Sequence, residues 1–259
     1  MSQLRRLLLT SLPKVALSRL CGLACSTPLP TAVRRRLFQW FARRYGAELG
    51  EVDGDLASFR SLQEFFRRPL RPGSRAVAAT PLVWPCDGRI VTTGAIHGGR
   101  IEQVKGNTYA LDDLLGDTSL ARSLEGGSQA TIYLAPGDYH RVHSPFAADI
   151  TTVTALRGTL FPVNPPAVRS IRNLFARNSR HVFHCITQNR VPAAVVMVGA
   201  YNVGGTTITH ASGRVAAGDE IGRFGFGSTV VALLGPGAAT FSPTAPETRV
   251  RMGAAASTS

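Results

Sequence analysis

Residue types that do chemistry together are scattered along this chain. PCDGRI (85–90) carries a carboxylate, YLAPGDYHRVHSP (133–145) two imidazoles, and GFGSTV (225–230) a hydroxyl. His140 and His143 stand three residues apart beside Tyr139 and Arg141, a spacing that suggests acid/base work or metal binding. A metal needs further ligands and only Asp87 offers itself, so acid/base chemistry is favoured. Asp87, His143 and Ser228 supply the three types of a hydrolase triad, in which a carboxylate orients an imidazole and the imidazole deprotonates a hydroxyl. Ser228 does not sit in the Gly-x-Ser-x-Gly elbow, where a strand precedes the nucleophile and a helix follows. Here glycines precede the serine, and the apolar, β-branched run Val230 to Leu234 follows. Ordinary turns are the competing reading of both Asp87-Gly88 and Gly227-Ser228-Thr229.

The elements that must hold these residues change character along the chain. Residues 3–24 read as a helix broken near Pro13. A second helix is predicted over 31–45, with Thr31 as N-cap and Val33, Leu37, Trp40, Phe41 and Tyr45 at helical spacing among Arg34, Arg35, Arg36, Arg43 and Arg44. A third, short helix is predicted over 61–70, ending at Pro69. From about residue 76 short apolar runs such as ATIYLAP, AAVVMVGA and STVVALL alternate with Gly, Pro, Asn and Asp, which signals strands and turns. One helical piece is expected at 110–124, and MGAAASTS (252–259) reads as a disordered tail. The expected class is α+β: a β-rich, mainly antiparallel, sandwich- or barrel-like core with N-terminal amphipathic helices. The expected units are a basic helical region (1–75), a β-rich core (76–251) and the tail.

Charge separates the two main regions. Of a formal net charge of +13, residues 1–75 carry fourteen basic and five acidic side chains, and 1–46 carry nine basic and no acidic ones. No zinc finger, helix-turn-helix or aromatic platform accompanies this charge, so a nucleic-acid partner is not expected. An anionic membrane surface fits better, because each Lys or Arg near one contributes roughly 1 kcal/mol and an interfacial helix favours Trp and Tyr flanked by Arg. No stretch reaches the roughly 18 apolar residues that span a bilayer. No convincing signal peptide is present, which places the chain on the cytoplasmic side. Cys21, Cys25, Cys86 and Cys185 form no Cys-x-x-Cys pair and read as reduced thiols, mostly buried. His181, His184 and Cys185 fit a strand with alternating faces better than a metal cluster, so no metal is expected. With no glycine-rich nucleotide fingerprint, nucleotide chemistry is not expected either.

The ordered set of motifs is similar to that of the bacterial-type phosphatidylserine decarboxylases. It comprises PCDG (85–88), Lys105-Gly106, YLAPGDYHRVHSP, FPVN (161–164), NLFARN (173–178), VGAYNVG (198–204) and GDEIGRFGFGSTV (218–230). LPKVALSRLCG (12–22) and SFRSLQEFFRRPLRP (58–72) also fit, so the resemblance covers about residues 3–234. The chain departs from the family where Phe226 replaces a usual Leu, where Ser179 follows FARN in place of a common Glu, and in the shortness of its 205–217 segment.

The resemblance implies a cofactor made from the chain itself. Cleavage between Gly227 and Ser228 would yield a β chain (1–227) and an α chain (228–259), with Ser228 converted to a pyruvoyl group. Gly227 would permit the close approach this needs. His143, held by Asp87, would activate the hydroxyl. The pyruvoyl carbonyl would form a Schiff base with the serine headgroup of phosphatidylserine and draw in the electrons left by CO₂, giving phosphatidylethanolamine. His140 would serve the decarboxylation step. The implied setting is a peripheral enzyme on the cytoplasmic face of the bacterial cell membrane, with a homodimer of processed chains as the family-like expectation. The competing classes are a non-catalytic membrane-surface module on the same scaffold and a serine hydrolase using Asp87, His143 and Ser228. Both require an uncut chain.

Overall fold

The computed structural model describes residues 22–200, 205–225 and 228–257. The expected helix at 3–24 therefore lies almost wholly outside the described residues, as do Cys21, Phe226 and Gly227. The architecture is α+β. Helix α1 (Thr31–Tyr45) has the predicted bounds, but Pro30 is the cap residue and no side chain caps it. Its C-terminus closes on Gly46 in the left-handed conformation, whose N–H reaches the Ala42 carbonyl. Helix α2 (Leu62–Phe66) is shorter than expected. Ser61 Oγ accepts from Glu64 N at its start, and the Glu64 carboxylate accepts from Arg60 N at 2.6 Å, a near-relative of the capping box. Phe38 and Phe41 of α1 meet Phe59, Phe65 and Phe66 in an aromatic core of their own, with the Phe38 and Phe65 rings stacked at 4.6 Å.

The sheet region begins with β1 (Gly88–Ala95), β2 (Arg100–Val104) and β3 (Asn107–Ala110). The helical piece expected at 110–124 is two helices, α3 (Leu111–Leu115) and α4 (Thr118–Ser123). Gly116 ends the first in the left-handed conformation, and the Asp117 side chain caps the second by accepting from Leu120 N. Strands β4 (Ser128–Leu134), β5 (Arg141–His143) and β6 (Ala148–Leu156) follow, then helices α5 (Pro165–Ser170) and α6 (Leu174–Arg177). The remaining strands are β7 (Arg180–Thr187), β8 (Pro192–Gly199), β9 (Thr207–Ile208), β10 (Gly213–Val215), β11 (Glu220–Arg223), β12 (Ser228–Leu234) and β13 (Arg249–Val250).

Eight strands form one antiparallel sheet in the order β10-β6-β7-β8-β12-β4-β1-β13, and β5, β11 and β9 form a second, three-stranded sheet. The large sheet is open, with β10 and β13 as its edges, and the α+β class with a mainly antiparallel core is as expected. Both of its faces are covered. Ile132, Val230 and Val195 point into one core and Val231, Leu233 and Val196 into the other, as the two-residue period of a strand requires. β12 is central, and all seven of its residues are buried and paired with β4 on one side and β8 on the other.

The expectation of a disordered tail is corrected for residues 252–257. Gly253 N donates to Trp84 O and Ala256 N to Leu82 O, and Ala256 is fully buried. Low complexity suggested disorder, but small side chains are what fit between Leu82 and Phe241. Among the described residues no helix is long and apolar enough to cross a membrane.

Candidate active site

Strand direction gathers the dispersed residues. β1 and β12 both run antiparallel to β4, so they run parallel to each other in direction and start at the same end of the sheet. Tyr133 of β4 pairs with Arg89 on one side and Thr229 on the other. Asp87 and Ser228 thus lie just ahead of one line across three strands. The chain leaves β4 at Leu134 on this same end and returns through Tyr139 and His140 into β5. β5 then pairs with β11, His143 opposite Glu220 and Arg141 opposite Arg223, and Phe224 N donates to His140 O at 3.0 Å. The histidine segment is therefore laced to the residues that lead into Ser228. Gly88 is required at the start of β1, because any Cβ there would strike the Tyr133 carbonyl and the Ile132 side chain.

Each expected group has a distinct environment. Ser228 is fully buried, and its Oγ has no hydrogen-bond partner among the described residues. A buried hydroxyl without a partner is costly, and a catalytic role is one explanation of such an exception. His140 is also fully buried. Its Nδ1 lies 2.8 Å from Asp138 O, an acceptor, so Nδ1 carries the proton and Nε2 is bare. That Nε2 has no partner among the described residues. Phe66 covers the ring at 3.8 Å between centroids. Burial, with a smaller push from Arg68, lowers the His140 pKa to about 3. His143 follows the same logic: Nδ1 donates to Gly218 O at 2.7 Å, leaving Nε2 to accept from the Tyr139 hydroxyl at 3.3 Å. Burial lowers its pKa too. Both imidazoles are neutral bases near pH 7.

Asp87 is not where a hydrolase triad would have it. Arg75 grips the carboxylate through Nε at 2.9 Å and Nη2 at 2.5 Å, and the backbone N–H of Met252 donates to the same Oδ1 at 2.9 Å. Among the described residues it makes no hydrogen bond to His143, whose orienting partner is the Gly218 carbonyl. The physical reason is charge: a buried carboxylate takes the guanidinium in reach, which Glu51 also pairs at 2.8 Å. Asp87 still contributes a favourable field at His143.

Several positioning residues were not singled out from sequence. Arg75, Tyr139 as a partner of His143, and Arg68, whose Nη2 donates to Gly137 O at 2.8 Å, had no distinguishing signal beyond their motifs. Gly137 leaves room for the Tyr45 carbonyl at the end of α1, where a Cβ would collide. Asn178 of NLFARN is fully buried, and its Nδ2 donates to Phe161 O and Gly199 O, each at 2.9 Å. It ties the FPVN segment to the residue that pairs with Ser228. Ser179, where a Glu is common, exchanges hydrogen bonds with Gly158 N and O at 2.9 and 3.0 Å.

With this geometry in view, the comparisons with known proteins are decisive. The family model described as phosphatidylserine decarboxylase matches residues 62–257. The chain belongs to that family. A phosphatidylserine decarboxylase proenzyme of Anaeromyxobacter sp. (strain K) is 42% identical, over 93% of this chain and 93% of the relative. The proenzyme of Chromobacterium violaceum is 40% identical over 90% of each chain, and that of Marinobacter nauticus 37% identical over 89% of this chain and 88% of its own. All the motif residues at the sheet end, from Asp87 to Ser228, fall within the matched span of the decarboxylase family.

Proposed function

We propose that this protein is a proenzyme that cuts itself between Gly227 and Ser228 and then decarboxylates phosphatidylserine to phosphatidylethanolamine. The observation that carries the reading is the buried Ser228 hydroxyl, without a hydrogen-bond partner among the described residues, at the head of a central strand and at the sheet end that holds His140 and His143. In the cut, His143 Nε2 takes the Ser228 Oγ proton as Oγ attacks the Gly227 carbonyl carbon. The C–O bond forms as the C–N bond to Ser228 breaks, leaving an ester. Loss of the Cα proton expels the Gly227 carboxylate and leaves a carbon–carbon double bond at 228. Water then replaces the nitrogen, which departs as ammonia, and a pyruvoyl group remains. Asp87 favours the imidazolium through its field.

Position 228 suits such a group: it is fully buried, and the hydroxyl of the adjacent Thr229 and Nε2 of His140, at the same end of the sheet, are likewise unpartnered among the described residues. When present, a pyruvoyl carbonyl accepts the substrate amine and takes up the electron pair released with CO₂. The chain's own share is to exclude water and move one proton. The bare Nε2 of His140 takes the proton that the substrate ammonium gives up as its nitrogen joins the carbonyl, and delivers it to the carbon that lost CO₂. The basic α1 face, with Trp40 half exposed beside Arg36, Arg43 and Arg44, supports a peripheral location on the cytoplasmic face of the membrane.

Intact-mass measurement of the purified protein tests this. The expected result is two chains, the smaller starting at residue 228 with a blocked, pyruvoyl-bearing N-terminus. A single chain of 27.6 kDa would sink the reading and favour a hydrolase or a binding module. Ser228→Ala is expected to stop the cut completely, since no hydroxyl remains to attack.

A further inference from the structure

Beside the proposed reaction centre, two arginines face each other where a strand pair should avoid it. Arg141 of β5 and Arg223 of β11 are register partners, and like charges directly opposite are unfavourable. Glu220 relieves the conflict: its Oε2 accepts from Arg141 Nη1 at 2.9 Å and its Oε1 from Arg223 Nε. One carboxylate does not balance the group, because Arg67 adds a third guanidinium. Arg67 is anchored by Nε to Phe224 O at 3.2 Å and by Nη2 to Gly205 O at 2.8 Å, and its own carbonyl accepts from Arg141 Nε at 3.1 Å. The result is three cations and one anion on a partly buried patch. Burial and then the proximity of Arg223 depress the Arg67 pKa, a mark of crowded positive charge.

Donors remain to be used. Arg141 spends Nε and Nη1, and Arg223 spends Nε, so among the described residues Arg141 Nη2 and both Nη atoms of Arg223 have no partner, and none of the three is a sealed, unpartnered atom. Arg223 is 36% exposed at the side chain and Arg141 14%. The patch adjoins the reaction centre: Arg141 and Glu220 act electrostatically on both Tyr139 and His143, and Arg223 is five residues before Ser228.

We infer that Arg141 and Arg223, held apart and oriented by Glu220, form an anion site that binds the phosphodiester of the substrate headgroup. The inference rests on the decarboxylase reading above. Planar guanidinium forks match phosphate oxygens in pairs. The substrate offers a second anion, its carboxylate, but a guanidinium clamped there would stabilise the ground state and oppose loss of CO₂. The phosphorus lies three bonds from the carbon that carries both amine and carboxylate. An anchor there fixes the reacting carbon while leaving the carboxylate in the dry part of the site.

The test uses the self-processed enzyme in neutral-detergent micelles containing phosphatidylserine. Arg223→Gln is expected to raise KM about tenfold with kcat changed less than threefold, and Arg223→Lys to fall between. Glycerophosphoethanolamine, a water-soluble phosphodiester, is expected to inhibit the wild type competitively and to lose that effect in Arg223→Gln. Inorganic phosphate at the same concentration is expected to inhibit less; equal inhibition by both would mean a free-anion site and would overturn the assignment to the headgroup. A KM unchanged in Arg223→Gln, or a loss confined to kcat, would also overturn it. So would a parallel loss of sedimentation with phosphatidylglycerol vesicles, which would make the patch a membrane contact. If Arg223→Gln fails to process, the inhibition pattern of the wild type decides alone, since absent or non-competitive inhibition by glycerophosphoethanolamine contradicts the site. A wild type that neither cuts nor decarboxylates defeats the underlying reading instead, a separate and recognisable outcome.

Discussion

The aromatic core of the helical region and the sheet end at Ser228 are built on opposite terms. In the first, Phe38, Phe41, Phe59, Phe65 and Phe66 interlock edge-on and stacked, and all five rings are buried. In the second, Ser228 Oγ, Thr229 Oγ1 and His140 Nε2 are buried with no partner among the described residues. The two meet where the Phe66 ring packs against His140. A region with its packing complete can hold a neighbour with its hydrogen bonding incomplete. That neighbour retains the reactivity that full satisfaction would quench.

The strongest way to break the comparison is to remove the proposed base. His143→Ala is expected to slow self-cleavage by about 10²–10⁴-fold, followed by the appearance of the small chain in denaturing gels, while the aromatic core stays folded by near-UV circular dichroism. Next is the contact itself. Phe66→Ala is expected to cost about 3–5 kcal/mol in denaturant unfolding of the uncut Ser228→Ala protein, whereas Phe66→Leu should cost much less. If Phe66→Ala left stability unchanged, the ring would not be part of the packed core that covers His140.

Titration sharpens the difference. His140 is neutral in the fold, with a pKa of about 3 against an ordinary 6.5, so between these values the unfolded chain binds the extra proton. Stability from this group is full above pH 6.5 and is lost as pH falls toward 3. From pH 7 to 5 the loss is about 2 kcal/mol for this one group. His140→Leu, measured in the Ser228→Ala background, should flatten the curve by that amount; an unchanged slope would mean that the ring is not held dry. The smallest expected effect is on the outer face of α1. Trp40→Ala should shift stability by less than about 0.5 kcal/mol yet reduce sedimentation with anionic vesicles.

Much of this arrangement was legible in residue order. The 3.6-residue spacing of Val33, Leu37, Trp40 and Phe41 marks a helix whose ends are Thr31 and Tyr45, because periodicity and terminal Gly46 are local signals. The break at Gly116-Asp117 was equally local, a glycine C-cap followed by an aspartate N-cap, but the apolar run of Leu111, Leu114, Leu115 and Leu120 masked it. The motifs named Asp87, His140, His143 and Ser228, yet no sequence rule reveals that Arg75 would take the Asp87 carboxylate and leave His143 to the Gly218 carbonyl. These partners lie 12 and 75 residues away. A backbone carbonyl carries no residue signature at all. The tail failed for a related reason: alanines read as featureless until Leu82 and Trp84 supply a surface for them.

The central place of β12 has one more consequence. A chain cut at 227–228 would keep its short fragment by fourteen register pairings with β4 and β8 and by the docked segment around Met252 and Ala256. Before the cut, unfolding involves a single chain. After it, the strand that sits between β4 and β8 would belong to a separate molecule, and the serine that made the cut would no longer exist. The matured protein would then persist by the slowness of its opening and not by its capacity to refold. Each copy could be assembled only once.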